Sequence, residues 1–244
     1  MAGHSHAANI AHRKGAQDAA RGKIFQKLSK EIFVAASSAA GADPETNPAL
    51  KLAISKAKAK NMPKDNIERA IAKAKGDKNA AAYTEIMFNA TVPGGVTFIV
   101  NTLSDNVNRV TSNIQAYFNK QNGSLGKTGQ IPYTFDKLGI IEFKKDLIDE
   151  ETLTMAILEL PVENLETNDQ TYVVVTLPEN FTEVKTLIED GLNINEFIQN
   201  EVTYVPNTYV ELDKEKQQKL LDFVAKLEDD DDVQSVYHNI EINE

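Results

Sequence analysis

The chain begins with a hydrophobic period near that of an α-helix. Ile24, Leu28 and Ile32 recur at helical spacing, and Lys23, Lys27 and Lys30 fall on the opposite side. The pattern predicts a helix that buries an apolar stripe and presents a row of ammonium groups outward. The run breaks at Gly41-Ala42-Asp43-Pro44. Asn47 then suits an N-cap ahead of Pro48, which fits the first position of a second helix. Leu50, Ile54 and Ala57 give that helix its buried face, with Lys51, Lys56, Lys58 and Lys60 around it. Pro63 ends the run, and Ile67, Ala70, Ile71 and Ala74 restart the helical spacing until Gly76 stops it. Three helices predict a small bundle.

Beyond residue 82 the period changes to two. Ile86, Phe88 and Ala90 alternate, Pro93-Gly94-Gly95 makes a turn, and Val96, Phe98 and Val100 alternate again, which predicts a β-hairpin. Ser104 or Asp105 is the expected cap of a helix whose buried face is Val107, Val110, Ile114 and Tyr117 with Phe118. Strands are expected near Ile131–Phe135, Gly139–Phe143, Tyr172–Thr176 and Glu201–Val205, with a helix over Phe181–Asp190. The order then recurs as Tyr209–Glu211, a helix over Asp213–Leu227 and a strand over Val233–Glu241. Short antiparallel strands interleaved with single helices predict α+β domains of ferredoxin-like kind. The Asp229–Asp232 run reads as a solvated loop at a helix end, although four carboxylates there oppose the helix dipole.

Charge changes this picture more than overall composition does. With 244 residues the chain is long enough for two or three compact units. Its 41% apolar content holds no run near the roughly 18 residues of a membrane span. Cysteine is absent, which excludes disulfides, thiolate metal sites and thiol nucleophiles. Met1–Lys14 carries no apolar segment of the signal-peptide kind, so a cytoplasmic protein is expected. The net charge is −10 but uneven: residues 1–80 carry 15 Lys/Arg against 7 Asp/Glu, a net of +8, and residues 81–244 carry the other 11 against 29, a net of −18. Such asymmetry suggests a polyanion-binding module joined to acidic domains. A helical bundle merely solvated by lysines accounts for the same charge.

The candidate chemistry follows the cations. Arg13, Lys14, Arg21, Lys23, Lys27 and Lys30 lie close together with only Asp18 to offset them. Cations at this density neutralise phosphates and release counterions, which gives sequence-independent affinity. No aromatic ladder accompanies them, so duplex or folded RNA fits better than stacked single strands. Lys56, Lys60, Lys64 and Arg69 extend the candidate surface, together with Lys51, Lys58, Lys73 and Lys75, although Asp65 and Arg69 sit at helical pairing distance. Pro93, Gly94 and Gly95 offer backbone N–H groups to an anion as readily as they offer a turn. Asp105, Asn106, Asn108 and Arg109 form a second candidate polar site, facing a partner, in which capping explains some members. His4 with the amine and amides of Ala2-Gly3 has the donors for Cu(II) or Ni(II) once Met1 is removed. No resident metal or cofactor is expected. The sequence holds no nucleophile elbow, Walker loop, dinucleotide fingerprint or His-Glu-x-x-His motif, so a non-enzymatic protein is expected.

Four blocks carry a family resemblance. Met1-Ala2-Gly3-His4-Ser5 is followed by Asn9-Ile10, His12-Arg13-Lys14-Gly15, Asp18, Arg21, Lys23 and Phe25. Asn61 to Ile71, Pro93-Gly94-Gly95-Val96 and Val233-Gln234-Ser235-Val236-Tyr237-His238-Asn239 complete the set. In this order, across nearly the whole chain, they resemble the YebC family. The resemblance implies an α+β protein of three domains: a basic helical domain over 1–80, a discontinuous domain over 81–130 and 206–244, and a domain inserted at 131–205. It also implies a nucleic-acid-binding regulator of gene expression. The family is known for DNA-binding transcriptional regulators, and it includes the mitochondrial translational activator of cytochrome oxidase subunit one and bacterial members that act on the ribosome. The implied partner is therefore DNA or ribosomal RNA, with no membrane and a monomeric chain expected. An acidic protein-interaction scaffold is a third reading. His6, Ala7 and Ala11 stand where the family usually has Lys, Trp and Lys, which predicts weaker or altered binding by the N-terminal arm.

Overall fold

The computed structural model describes residues 21–76 and 83–242, which form two compact units. The chain is α+β, with helices at the N-terminal end and two sheets of four antiparallel strands. One unit contains the N-terminal helices together with 83–132 and 210–242, and the other spans 133–209.

In the first unit, helices α1 (Arg21–Ser37), α2 (Pro48–Ala59) and α3 (Lys64–Gly76) bury a shared core that includes Ile32, Phe33, Leu50, Ala57 and Ile67. The α1–α2 connection is organised by Asn47, only 1% exposed. Its Oδ1 accepts from the Leu50 N–H at 3.0 Å as the N-cap, while its Nδ2 donates to the carbonyls of Ala35 at 2.8 Å and Gly41 at 2.6 Å. One side chain thus caps the second helix and closes the loop that precedes it. At the other end of α2, Asn61 takes a φ of 56°, the left-handed conformation that Asn tolerates, and places buried Met62 in the core. The Asn61–Ile71 block is, in its backbone, the joint between α2 and α3.

Strands β1 (Thr84–Val92) and β2 (Val96–Ser104) form the expected hairpin, closed by Gly94 and Gly95 at φ of 99° and 83°. Helix α4 (Val107–Lys120) leads to the short β3 (Ser124–Leu125), and helix α7 (Lys214–Glu228) leads to β8 (Val233–His238). The strand order is β3-β1-β2-β8, so the hairpin occupies the centre. Phe98 from β2, Phe118 from α4 and Phe223 from α7 interlock edge to face at centroid distances of 5.2–5.9 Å. The cap of α4 is Asn106, one residue beyond the positions expected, because Ser104 still belongs to the strand. The Val233–Asn239 block ties β8 to β2: Asn239 Oδ1 accepts from the Thr97 N–H at 2.8 Å. Tyr209–Glu211 contributes only a single bridge, Val210 to Ile240, and not a strand.

The second unit runs β4 (Phe135–Lys144), α5 (Glu150–Ile157), β5 (Val162–Thr167), β6 (Thr171–Thr176), α6 (Phe181–Thr186) and β7 (Gln199–Pro206). Its strand order, β5-β6-β4-β7, is that of a ferredoxin-like sheet. The strand expected at 131–135 does not form, since 131–134 are coil and turn. The strand expected at 139–143 is longer than read, starting at Phe135 and running unbroken through Gly139, which pairs with Val202 and Thr176. Helix α5 and strand β5 are additional to the sequence reading. Helix α6 gives way at Leu187 to a π-turn ending at Gly191, so the helix expected to Asp190 is only partly α.

Candidate nucleic-acid interface

The lysine row of α1 does not face open solvent. Successive residues of a helix are about 100° apart, so Lys23 and Lys27, each one position before Ile24 and Leu28, flank the buried stripe, while Lys30, two positions before Ile32, falls farther round the helix. The segment that follows α7 covers this flank. Lys23 Nζ pairs with the Asp229 carboxylate and donates to the Asp229 carbonyl at 3.1 Å. Lys27 Nζ donates to the Glu228 carbonyl at 2.5 Å. Lys30 Nζ meets Asp232 Oδ1 at 3.1 Å and the Asp231 carbonyl at 3.4 Å. Asp229–Asp232 is therefore the counter-charge of α1 and not a merely solvated loop. The ammonium groups also answer the dipole objection, since they supply the positive charge that the C-terminus of α7 needs.

Arg109, at the start of α4, completes the cluster. Its Nε and Nη2 reach Asp232 Oδ2 at 3.1 and 2.8 Å, and Nη2 also reaches Asp105 at 2.8 Å and Ser104 Oγ at 3.1 Å. Tyr117 Oη donates to Asp230 at 3.1 Å. Lys23, Gln26, Arg109, Asn113 and Asp229–Asp232 line an open cleft of about 540 Å³. Burial alone would raise the Asp232 pKa, but the hydrogen bonds from Arg109 and Lys30 outweigh it and hold the carboxyl below its usual range. Lys23 does the same to Asp229. Burial lowers the Lys27 ammonium below the usual lysine value even though Glu228, Asp230 and Asp231 pull the other way.

The remaining candidates separate. Lys56 pairs with Glu31 at 2.6 Å, and Lys64 makes a solvated pair with Glu68 at 3.5 Å. Arg69 donates to the Asp65 carbonyl at 3.2 Å and to Asn66 Oδ1 at 2.5 Å. Lys60 is exposed at the end of α2. Lys58 and Lys75 are exposed and make no ion pair among the described residues. Pro93, Gly94 and Gly95 are exposed at one end of β2, whereas Asp105, Asn106, Asn108 and Arg109 lie beyond its other end. Nine residues of strand, about 30 Å, separate the two groups, so they are not one site. Asn106 caps α4 through the Arg109 N–H at 2.9 Å, and Arg109 is committed to carboxylates of its own chain. Asn108 is exposed. Arg13, Lys14, His4, His6, Ala7, Ala11 and His12 lie outside the described residues; Arg21 opens α1. Among the described residues no group of His, Asp or Glu is placed to hold a metal ion, and no helix is long and apolar enough to cross a membrane.

The residues that sequence reasoning missed are the acidic ones. A carboxylate run directly after a helix, where the dipole disfavours it, was the available signal that cations must be brought to it from elsewhere.

Comparison with known proteins places the chain. Residues 5–77 match the TACO1/YebC N-terminal domain, and residues 83–240 match the TACO1/YebC second and third domain. A probable transcriptional regulatory protein of Mycoplasmopsis synoviae is 66% identical over 242 residues, covering 99% of this chain and 100% of that protein. One of Geobacillus kaustophilus is 46% identical over 244 residues, covering 99% of this chain and 98% of its own length. The crystal structure of a conserved hypothetical protein from Aquifex aeolicus superimposes with a TM-score of 0.75 at 38% identity, over 93% of each chain. With both family models matched in order and relatives this similar along their full length, the chain belongs to the TACO1/YebC family.

Proposed function

We propose that this protein regulates gene expression by binding nucleic acid, without catalysis, through phosphate contacts made by its basic helices. The observation that carries the reading is the charge of α2 and α3. Between residues 48 and 76 stand Lys51, Lys56, Lys58, Lys60, Lys64, Arg69, Lys73 and Lys75 against only Asp65 and Glu68. Most of these cations are exposed. The exposed side chains are chiefly Lys, which acts as a point charge towards phosphate, and Asn66 is engaged by Arg69. A surface of this kind recognises a backbone and not base edges. It favours folded ribosomal RNA, read by shape, as the target.

Within this reading residues 1–80 are the binding domain, including Arg13, Lys14 and Arg21. Residues 81–130 with 206–244 form the discontinuous domain, and 131–205 the insert. The protein acts in the cytoplasm as a monomer. The names of the relatives, probable transcriptional regulatory proteins, favour a second reading in which the same surface binds DNA.

Sedimentation of the native protein with ribosomes in low and high salt, beside duplex-DNA binding at matched salt, tests both readings. Salt-sensitive co-sedimentation with weak, sequence-indifferent DNA binding is expected for the ribosomal target. Sequence-selective DNA binding without co-sedimentation would establish the second reading instead. Salt-insensitive association with a protein partner would turn the assignment towards an acidic scaffold.

A further inference from the structure

We infer that the segment Glu228–Asp232 is a built-in competitor for nucleic acid. In the free protein it occupies the phosphate-facing flank of α1, and its Asp229 end leaves that flank when Lys23 and Lys27 take phosphates. The inference rests on the nucleic-acid reading above and adds the regulation of that surface.

Three features point to it. First, the three ammonium groups stand at i, i+4 and i+7, and each already holds an oxygen of the segment: the Asp229 carboxylate and carbonyl, the Glu228 carbonyl, and Asp232 with the Asp231 carbonyl. A row of anionic and carbonyl oxygens along a lysine-bearing helix presents the same chemistry as a phosphate backbone. Second, the segment has a fixed end and a displaceable end. The Asp232 side chain is 8% exposed and gripped by Arg109, whereas the Asp229 side chain is 67% exposed and its partner Lys23 is 43% exposed. Water and mobile ions reach the latter pair, so an incoming polyanion can exchange for it. Third, the cleft beside the contact is lined by polar side chains, Gln26 and Asn113 among them. Opening there wets groups that water solvates well. Charge on α1 is thereby held in reserve, and a ligand gains it only by offering enough phosphates to replace the segment.

The test uses the full-length protein and two fluorescein-labelled probes, a mixed-sequence duplex DNA and a ribosomal RNA hairpin, titrated by anisotropy over a range of salt. Asp229→Asn/Asp231→Asn removes exposed carboxylates and leaves Asp232 in place. It is expected to bind about ten-fold tighter at about 0.1 M salt, with a log–log salt slope steeper by about two, as phosphate contacts are added. Glu215→Gln/Asp222→Asn removes the same charge from the exposed face of α7 and is expected to change affinity by less than about two-fold. Lys58→Gln/Lys75→Gln is expected to weaken binding. If the acidic-segment variant binds like the wild type while the lysine variant weakens, the competitor idea is overturned and the nucleic-acid reading stands. If the two carboxylate variants gain equally, bulk charge explains the gain and the idea is overturned as well. If the wild type binds neither probe, the parent reading fails and takes this one with it. Hydrogen exchange on the wild type needs no variant. The Asp232 and Val233 amides, which donate to Asp230 Oδ1 at 2.9 Å and to the Asp230 carbonyl at 3.1 Å, should exchange faster when the probe is bound. Unchanged or slower exchange there would overturn the inference.

Discussion

Exchanging Asp232 for Asn keeps the size of the side chain and removes its charge. In the native cluster its carboxylate is 8% exposed, with one oxygen on Arg109 and the other on Lys30. Removing one partner of a fully buried ion pair costs about 3–5 kcal/mol, chiefly because the other charge is stranded. Here the two partners differ. Arg109 is 47% exposed and rehydrates, so no share is assigned to it, while Lys30 is only 18% exposed and keeps most of the penalty. A loss of about 2 kcal/mol is therefore expected, or about 4–8 °C in melting temperature for a unit of this size. Thermal unfolding followed by circular dichroism measures it, and adding Lys30→Met should restore part of the loss, because no stranded ammonium remains. The acid limb gives an independent sign. The folded-state pKa of Asp232 is depressed. Its contribution is thus fully present above the unfolded value, about pH 4, and is lost as pH falls through the folded value. The variant should lose less stability than the wild type across that window. A loss below about 0.5 kcal/mol, the size of an ordinary surface change, or one strictly additive with Lys30→Met, would refute the view that this carboxylate holds α1 in place.

Other sites test other parts of the fold by the same assay. Phe98 is fully buried between Phe118 and Phe223, so Phe98→Ala is expected to cost about 3–5 kcal/mol and to abolish the cooperative transition of the first unit if the loss exceeds its reserve. At Gly139 a Cβ would stand 2.3 Å from Thr176 Oγ1 and 2.6 Å from the Phe181 ring. Gly139→Ala should therefore destabilise the second unit by about 1–3 kcal/mol, and Thr176→Ala in the same chain should relieve part of it. Asn47→Asp preserves the acceptor that caps α2 but sets a carboxylate against the carbonyls of Ala35 and Gly41. At neutral pH it should be at least as damaging as Asn47→Ala, and it should recover as acid restores a proton to donate, whereas the Ala variant should not. Equal melting profiles for the two across pH would contradict the triple role of this side chain.

Much of the fold was legible because local periodicity and local turn chemistry agreed. Asn47 ahead of Pro48 and the Pro93-Gly94-Gly95 turn between alternating runs each marked a boundary the structure keeps. Helix α5 was missed because its eight residues, Glu150–Ile157, include Thr152 and Thr154 and bury only Leu153 and Ile157, too short a run to display a period. Strand β5 was missed for a related reason: Val162–Thr167 is an edge strand with a bulge and little burial, so its side chains do not alternate cleanly. The site was less legible than the fold. The cations could be counted from sequence, but whether each is free depends on residues some 200 positions away, as in Lys27 with Glu228. No local pattern carries that information.

The distinction between counted and available charge bears on function. Residues 1–80 carry a net charge of +8, yet three of the contributing lysines meet the acidic segment, and Lys56 meets Glu31. If each accessible cation displaced about one counterion, the protein with these contacts closed would show a shallower salt dependence than its sequence suggests, by about four contacts. On the proposed reading, a dense, folded phosphate surface that engages α1, α2 and α3 together releases more counterions than a single stretch of duplex. Salt slopes measured on the two kinds of probe would separate these cases: a clearly steeper slope on ribosomal RNA is expected, and equal slopes would mean that the lysines of α1 contribute equally, or not at all, to both.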